Sequence, residues 1–200
     1  MSDPPRPQIP KLSELHLVIR TQRLELRPIV EADADAIWPV VSRPDFPRQM
    51  SWEAHRDIEQ TREFVRRQIA AVAENAGVVW AIVHEGSVAG CIGFDGIRWQ
   101  LRALRLDRAE LGYWLAPEYW NKGIMTEAAS SVVRFGFDTI GLHKITVRCF
   151  AENHASRRVI EKVGFRYVGR AEEDIWRDGR WHAHLLFELT AGEWGQGSRV

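Results

Sequence analysis

Alternation of apolar and polar residues predicts β-strands along most of the chain. Near the start, leucine and isoleucine alternate with other residues over 15–19 and again over 24–26, which predicts one long strand or two short ones. Gly86-Ser87 predicts the turn of a hairpin, and Asp178-Gly179, a dipeptide favoured in type I′ turns, predicts another. Six further strands are predicted, at 78–84, 88–95, 110–115, 144–150, 167–176 and 181–189.

Apolar residues at helical spacing predict four helices between these strands. The first follows Glu31 and ends before Pro44, and the second runs from about Ala54 to Ala73. The third begins at Gly123 and ends near Thr139, and a short fourth helix covers 155–163. This order predicts an α/β (α+β) fold, in which a mixed central β-sheet of about seven strands is flanked by about four α-helices.

A chain of 200 residues has room for one domain of ordinary size, which we expect over 12–190. The proline-rich start, 1–11, is predicted to be a flexible lead-in, and the segment 191–200 a flexible tail. The start lacks the apolar stretch of a secretory signal, and the longest apolar run, Val78–Val83, is far shorter than the roughly 20 residues that a membrane-spanning helix needs. A cytoplasmic protein with no membrane partner is therefore predicted.

Composition narrows the function classes. Apolar residues make up 45% of the chain and charged residues 27%, which is typical of a globular protein. Lys and Arg number 27 against 27 Asp and Glu, so the formal net charge is zero and nucleic acid is not an expected partner. Cys91 and Cys149 lie far apart with no histidine pair nearby, which predicts two small buried side chains, no disulfide and no metal site.

The segment that carries chemistry is a strand ending at Leu115 that leads through Asn121-Lys122-Gly123 into a helix. A helix start offers unpaired backbone N–H groups and the positive end of the helix dipole, and together these bind phosphate. Neither a Walker A loop nor a dinucleotide-binding glycine pattern is present. Taken alone, the turn can also be an ordinary strand-to-helix connection.

Two further motifs accompany this turn, Thr21-x-Arg23-Leu24-x-Leu26-Arg27 and the segment from Asn153 to Phe165. Together the three segments strongly resemble the GNAT acyl-CoA N-acyltransferases, in particular the branch that includes the ribosomal-protein Nα-acetyltransferases of the RimJ/RimL type. The likeness covers nearly the whole chain, about 15–189. It implies the GNAT fold, in which the strands equivalent to 110–115 and 144–150 splay apart and the thioester of the cosubstrate acetyl-CoA lies in the gap.

The resemblance also implies which residues bind the cosubstrate. The main chain of Trp114 and Leu115 would hydrogen-bond the pantetheine arm like an added strand. Asn153 would hold it through the side-chain amide, although Asn153 can equally be the N-cap of the following helix. Trp120 and Met125 depart from the family's pattern at the turn, but the contact there is mostly through the backbone. The pyrophosphate would be bound by the backbone amides of Asn121, Lys122, Gly123, Ile124, Met125 and Thr126.

Candidate catalytic residues follow in part from the same resemblance. Many GNAT enzymes protonate the leaving thiolate with a tyrosine where this chain has Ile160, and in the branch resembled Ser156 would take that role; Ser156 can also simply support the helix cap. Glu110, a carboxylate in an apolar strand, is the leading candidate for the base, against the alternative that it forms a salt bridge with Arg108 or Arg148. Second choices for the base are Glu172, Glu173 and Asp174, and the histidines expected at the surface are His143, His154, His182 and His184.

These features predict an acetyl-CoA-dependent N-acetyltransferase that acts on a protein or peptide N-terminal α-amine. An α-amine with a pKa of about 7.7 to 8.0 is substantially neutral in the cytoplasm, whereas a lysine near 10.4 costs about 3 to 4 kcal/mol to deprotonate. The alternatives are an acyltransferase for a small amine, such as an antibiotic or a metabolite, and a non-catalytic acyl-CoA-binding regulatory module. A homodimer is also considered.

Overall fold

The computed structural model describes residues 8–197, which form one eight-stranded sheet with five α-helices. The strand order is β1-β2-β3-β4-β5-β6-β8-β7. The strands are β1 (Ile19–Arg20), β2 (Leu24–Pro28), β3 (Val78–His84), β4 (Ser87–Leu101), β5 (Leu104–Leu115), β6 (Lys144–Phe150), β7 (Arg166–Arg177) and β8 (Arg180–Thr190). The helices are α1 (Asp33–Val41), α2 (Ile58–Ala73), α3 (Ile124–Asp138), α4 (His154–Val163) and α5 (Ala191–Gly197).

The middle of the sheet opens where β5 and β6 part. These two strands form the parallel pair of the sheet, with Arg108, Ala109 and Glu110 opposite Lys144, Ile145 and Thr146, and their pairing stops there. Beyond that point, β5 continues along β4 as far as Leu115, and β6 continues along β8 as far as Phe150. The facing edges of 111–115 and 147–150 therefore border a gap, as the resemblance implied.

Helices cover both faces of the sheet, and each face has its own apolar core. On one face, α3 and α4 pack Ile124 and Ile160 against sheet residues such as Leu111 and Val147. On the other face, α1 and α2 pack against Trp114 and its neighbours. Because successive side chains of a strand point to opposite faces, the gap between β5 and β6 is flanked by side chains on both faces of the sheet.

Three stretches differ from the sequence prediction. Most of 15–19 is not strand, and a 3₁₀ turn at Leu12–Glu14 precedes it. The second helix begins at Ile58 because the Asp57 side chain caps it by accepting from Gln60 N. The hairpin of β4 and β5 is much longer than predicted, since both strands continue through the arginine-rich segment 96–109.

The predicted tail is wrong for residues 191–197, which form α5. Thr190 and Glu193 cap this helix reciprocally: Glu193 N donates to Thr190 Oγ1, and Thr190 N donates to Glu193 Oε2. At the other end of the chain, Asn75 binds Pro10 O and Leu12 N, so the predicted lead-in is held from residue 10 onwards. Residues 1–7 and 198–200 lie outside the described residues.

Close backbone packing at Gly90 supports the β5 edge of the gap. A Cβ atom at this position would lie 2.3 Å from Trp114 O, a backbone atom that cannot rotate away. We expect Gly90→Ala to lower the free energy of unfolding by about 1 to 3 kcal/mol, as overpacking does in other cores. Denaturant unfolding measures this, with Gly112→Ala as the matched control because nothing lies within 4 Å of its Cβ position. Equal losses for the two variants would contradict the role given to Gly90.

Candidate active site

The connection from β5 to α3 contains backbone conformations that few residue types adopt. After a 3₁₀ turn at Pro117–Tyr119, Asn121 and Gly123 both have left-handed backbone, with φ of 59° and 75°. The Trp120 indole donates to Leu115 O at 2.6 Å, which ties the turn back to the end of β5. Gly123 is the N-cap residue of α3, so the chain enters the helix directly from this turn.

Six consecutive amides at this helix start, those of residues 121–126, have no hydrogen-bond acceptor among the described residues. Glu127 N is the first amide with a partner, Gly123 O at 3.0 Å. The side chains of Ile124 and Met125 are buried in the core, so these two residues can offer a ligand only their backbone. Unpaired amides at the positive end of a helix dipole suit a pyrophosphate. The backbone contact expected at Met125 is therefore compatible with the fold.

The Thr-Arg motif near the chain start holds this helix in place through Glu127. Thr21 Oγ1 donates to Glu127 Oε1 at 2.6 Å, and Arg23 Nε donates to Glu127 Oε2 at 2.8 Å. Arg23 Nη1 also donates to Lys122 O at 3.0 Å. The turn between β1 and β2 is thus clamped onto the start of α3, and these contacts explain the Thr-Arg motif structurally.

The clamp predicts a pH-dependent stability. Burial opposes ionisation of Glu127, but the hydrogen bonds from Thr21 and Arg23 outweigh it and hold its pKa below the ordinary 4.5. Since the folded-state pKa is depressed, the stabilisation is complete above pH 4.5 and is lost as the pH falls from there through the folded-state pKa.

We therefore expect Glu127→Gln to lower the melting temperature at neutral pH, with the difference from the unmodified protein shrinking in acid. Thermal melting across pH measures it. Glu118→Gln, at an exposed position on the same connection, is the control. A Glu127→Gln difference that stays constant into acid would show that the carboxylate charge is not what stabilises the clamp.

On the α3 and α4 side of the gap, Ser156 meets a tyrosine that the sequence did not single out. Asn153 caps α4 by accepting from Ser156 N at 2.9 Å, so the N-cap interpretation of Asn153 is confirmed. Tyr113 OH lies 2.9 Å from Ser156 Oγ and also donates to Ser156 O at 3.3 Å. Ile160, where many GNAT enzymes carry their tyrosine, is buried in the core. The phenol beside Ser156 is therefore that of Tyr113 on β5, whereas many GNAT enzymes carry a tyrosine at the α4 position of Ile160.

Burial sets the protonation state of this cluster. It raises the pKa of the Tyr113 hydroxyl, and the hydrogen bond with Ser156 only partly opposes the rise. Burial likewise raises the pKa of Cys149, beside Ser156, to about 11. Both groups thus keep their protons at neutral pH. Cys91 and Cys149 are free and buried, as predicted.

On the α1 and α2 side of the gap, Glu110 is held by an arginine. Arg148 Nε donates to Glu110 Oε1 at 2.8 Å and Nη2 donates to Oε2 at 3.0 Å, so both carboxylate oxygens are engaged. Arg148 Nη1 lies 3.8 Å from Asp174 Oδ2. The alternative interpretation of Glu110, a salt bridge with Arg148, is what the structure contains.

Glu110, Arg148 and Asp174 form a charged row on this face of the sheet, and a buried histidine extends it. His184 is 4% exposed, and its Nδ1 lies 2.7 Å from Asp174 Oδ2. A bulge in β7 between Ala171 and Ile175 aims Asp174 at this ring, and Glu173 within the bulge has a φ of 49°. The surface position expected for His184 is therefore wrong. Of the second choices for the base, Asp174 joins the row, whereas Glu172 pairs with Arg170 on the surface.

In the part of the chain that the structure describes, no helix is long and apolar enough to cross a membrane. Three or more His, Cys, Asp or Glu side chains do not gather as metal ligands anywhere within residues 8–197.

The residues 23–166 match the family described as the acetyltransferase (GNAT) domain. The N-acetyltransferase YoaA of Bacillus subtilis is 33% identical over 164 residues, which cover 81% of this chain and 90% of that protein. The chain belongs to the GNAT acetyltransferases. It is therefore an acetyl-CoA-dependent acyltransferase, and the predicted family, fold and enzyme class are confirmed.

Other GNAT proteins extend the likeness. The ribosomal protein uS5-alanine N-acetyltransferase of Escherichia coli is 31% identical over 87 residues, 44% of this chain and 45% of that protein. The ribosomal L7/L12 α-N-protein acetyltransferase RimL, solved with coenzyme A, has the same fold: its TM-score is 0.80 at 20% identity, over 88% of this chain and 99% of that one. A GNAT-family acetyltransferase from Bacillus anthracis gives a TM-score of 0.76 at 27% identity, over 88% of this chain and 99% of that one.

Proposed function

We propose that this protein transfers the acetyl group of acetyl-CoA to the N-terminal α-amine of a peptide or protein. One observation carries the proposal: the helix start with six unpartnered amides lies at the end of β5, the strand that borders the gap. A ligand with a pyrophosphate at one end and an extended arm at the other fits both features. The same arrangement suits acetyl-CoA better than a nucleotide without such an arm.

Each part of the site has a binding role. The amides of residues 121–126, from Asn121 to Thr126, bind the pyrophosphate, and the left-handed turn at Gly123 aims them at it. The unpaired edge of β5 at Trp114 and Leu115 hydrogen-bonds the pantetheine arm, as a strand does when it is added to a sheet. Asn153, at the end of β6, lines the far side of the gap while its Oδ1 caps α4. Its amide nitrogen remains available to the arm.

Acetyl transfer needs a neutral amine, a donor for the oxyanion and a proton for the departing thiolate. The backbone N–H of Trp114 or Leu115 is the oxyanion donor that we propose. Ser156 Oγ donates the proton to the thiolate and regains one from solvent, while Tyr113, 2.9 Å away and kept protonated by burial, stays hydrogen-bonded to Oγ. A serine hydroxyl alone is a weak acid, and the hydrogen bond from the phenol stabilises the charge that develops on it.

The acceptor class rests on chemistry and on the relatives. The carboxylates Glu110 and Asp174 lie on the face of the sheet opposite Ser156, where an amine would approach, and Arg148 balances part of their charge. An α-amine needs only a weak base, and the carboxylates of Glu110 and Asp174 are already engaged by Arg148 and His184. One relative is named a ribosomal protein uS5-alanine N-acetyltransferase and one structural neighbour an L7/L12 α-N-protein acetyltransferase, which supports the same acceptor class here. A cytoplasmic location and a homodimer stay predictions.

A matched acceptor panel tests this function. The protein is incubated with acetyl-CoA and a peptide bearing a free N-terminus, the same peptide with a blocked N-terminus and a free lysine, and a set of small amines. We expect thiol release and an acetyl group, found by mass spectrometry, with the free N-terminus and not with the blocked peptide. Acetylation of small amines alone would instead establish the small-amine alternative. Tight acetyl-CoA binding with no turnover on any amine would establish the non-catalytic module.

A further inference from the structure

We infer that His184, held by Asp174, is the base that takes the proton from the attacking amine. This inference rests on the proposed function. From the sequence, Glu110 was the leading candidate for the base. In the structure, however, Arg148 binds both oxygens of Glu110, and His184 with Asp174 forms a second group that can accept a proton.

The ring lies on the face of the sheet where an amine would approach. His184 stands opposite Phe150, the last residue of β6, and strand neighbours that are directly opposite share a face. Glu110 and Trp114 point to the same face of β5, and Trp114 packs there with α1 and α2. Arg148 contacts both Glu110 and Asp174. His184, which contacts Asp174, therefore belongs to the same charged row as Glu110 at the edge of the gap.

Asp174 fixes which nitrogen is the acceptor. A carboxylate can only accept, so Nδ1 carries the proton that bonds Asp174 Oδ2 at 2.7 Å, and Nε2 of the neutral ring keeps its lone pair. Within residues 8–197, Nε2 has no hydrogen-bond partner. The backbone bulge at Glu173 is what turns Asp174 toward the ring, a device often found beside active sites.

A pocket of about 270 Å³ opens at the carboxyl end of β6, where Phe150 and His182 line it and His184 does not. The centroid of the Phe150 ring lies 4.6 Å from that of His184 and 5.5 Å from that of His182. An acceptor in the pocket is therefore separated from His184 by Phe150, and its proton would reach Nε2 through an intervening water. The charged groups that form the row with His184 are Asp174 on β7, Arg148 on β6 and Glu110 on β5. The charged and titratable residues that line the pocket itself are Glu152, His154, Arg170, Glu172, Glu173, Arg180 and His182.

The reaction balances with these groups. The amine nitrogen forms a bond to the acetyl carbon, and the carbon–sulfur bond breaks. The proton that the nitrogen loses passes to His184 Nε2 and then to solvent, and the thiolate takes a proton from Ser156. Asp174 stabilises the imidazolium that forms, as an orienting carboxylate does in other enzymes. Asp174 is thus a positioning residue, because it acts through His184.

Chemical rescue tests the assignment. We expect His184→Ala to lower kcat about 10- to 100-fold, at or below the lower end of what a general base contributes because an α-amine is already partly neutral. Added imidazole should restore activity to this variant and leave the unmodified protein unchanged. His143→Asn, at an exposed position before β6, is the histidine control and should keep full activity. Melting temperature and acetyl-CoA affinity show that the variants are folded.

A second variant keeps the test decisive if His184→Ala does not fold. The side chain of Asp174 is 30% exposed, so Asp174→Asn is expected to fold. It should lower kcat about tenfold with an unchanged KM for acetyl-CoA, because the ring loses its orienting acceptor. A folded His184→Ala that imidazole does not rescue, or an Asp174→Asn variant with unchanged kcat, would overturn the inference. Failure of the unmodified protein to acetylate any amine would instead overturn the proposed function.

Discussion

We expect replacement of Ser156 with alanine to lower kcat by about 100- to 1,000-fold and to leave acetyl-CoA affinity unchanged. The loss is of the size that a positioned proton donor contributes. The fold should survive, because the α4 cap uses the backbone N–H of Ser156 and not its hydroxyl, and alanine is the best helix former. The hydroxyl contacts Tyr113, so under the proposed mechanism its removal takes away the proton donor for the thiolate.

Steady-state kinetics with acetyl-CoA and the preferred peptide measure the effect. Tyr113→Phe keeps the ring and removes only the phenolic hydroxyl, so we expect a smaller loss of kcat, about tenfold, since Ser156 still donates but is no longer supported. A double variant should be no slower than Ser156→Ala, because the two hydroxyls act as one unit. An unchanged kcat in Ser156→Ala would remove Ser156 from the mechanism.

We expect replacement of Gly123 with valine to weaken acetyl-CoA binding by about 30- to 100-fold. At a φ of 75°, a β-branched residue is strongly disfavoured. Forcing it there costs of the order of 2 to 3 kcal/mol, and each 1.4 kcal/mol is a factor of about ten in affinity. In the proposed complex this backbone conformation aims the free amides at the pyrophosphate. We expect the unbound variant to relax the turn, so that binding must restore the strained conformation.

Gly141→Val is the matched control for backbone strain. Gly141 has a φ of 76°, and it follows the opposite end of α3 with open space around its Cβ position. Both variants should lose stability, whereas only Gly123→Val should lose acetyl-CoA affinity by calorimetry. Similar affinities in the two variants would show that the turn at Gly123 does not bind the cosubstrate.

The sequence predicted the turn that leads into α3 at Gly123 because all its determinants are local. A glycine at a helix start, a strand before it and an amphipathic helix after it can be read within 111–128. The capping role of Asn153 is local for the same reason, and it is found. The long β4–β5 hairpin was missed because its outer part is rich in arginine. The alternation at Ile97, Trp99 and Leu101 was the signal for it.

The chemistry across the gap was not predictable from local pattern. Tyr113 and Ser156 are 43 residues apart, and only the parting of β5 and β6 brings their hydroxyls together. His184 looked like one of several scattered histidines until the bulge in β7 placed Asp174 against it. A bulge shifts the alternation of a strand by one residue, so the direction of Asp174 could not be inferred from period-two spacing.

A crystal structure with coenzyme A bound is the most direct test of the proposal that the start of α3 and the gap together bind the cosubstrate. We expect the pyrophosphate on the amides of residues 121–126 and the pantetheine arm along Trp114 and Leu115 between β5 and β6. The thiol should lie within hydrogen-bonding reach of Ser156 Oγ. Coenzyme A bound elsewhere, with β5 and β6 still apart and the helix start free of phosphate, would contradict it.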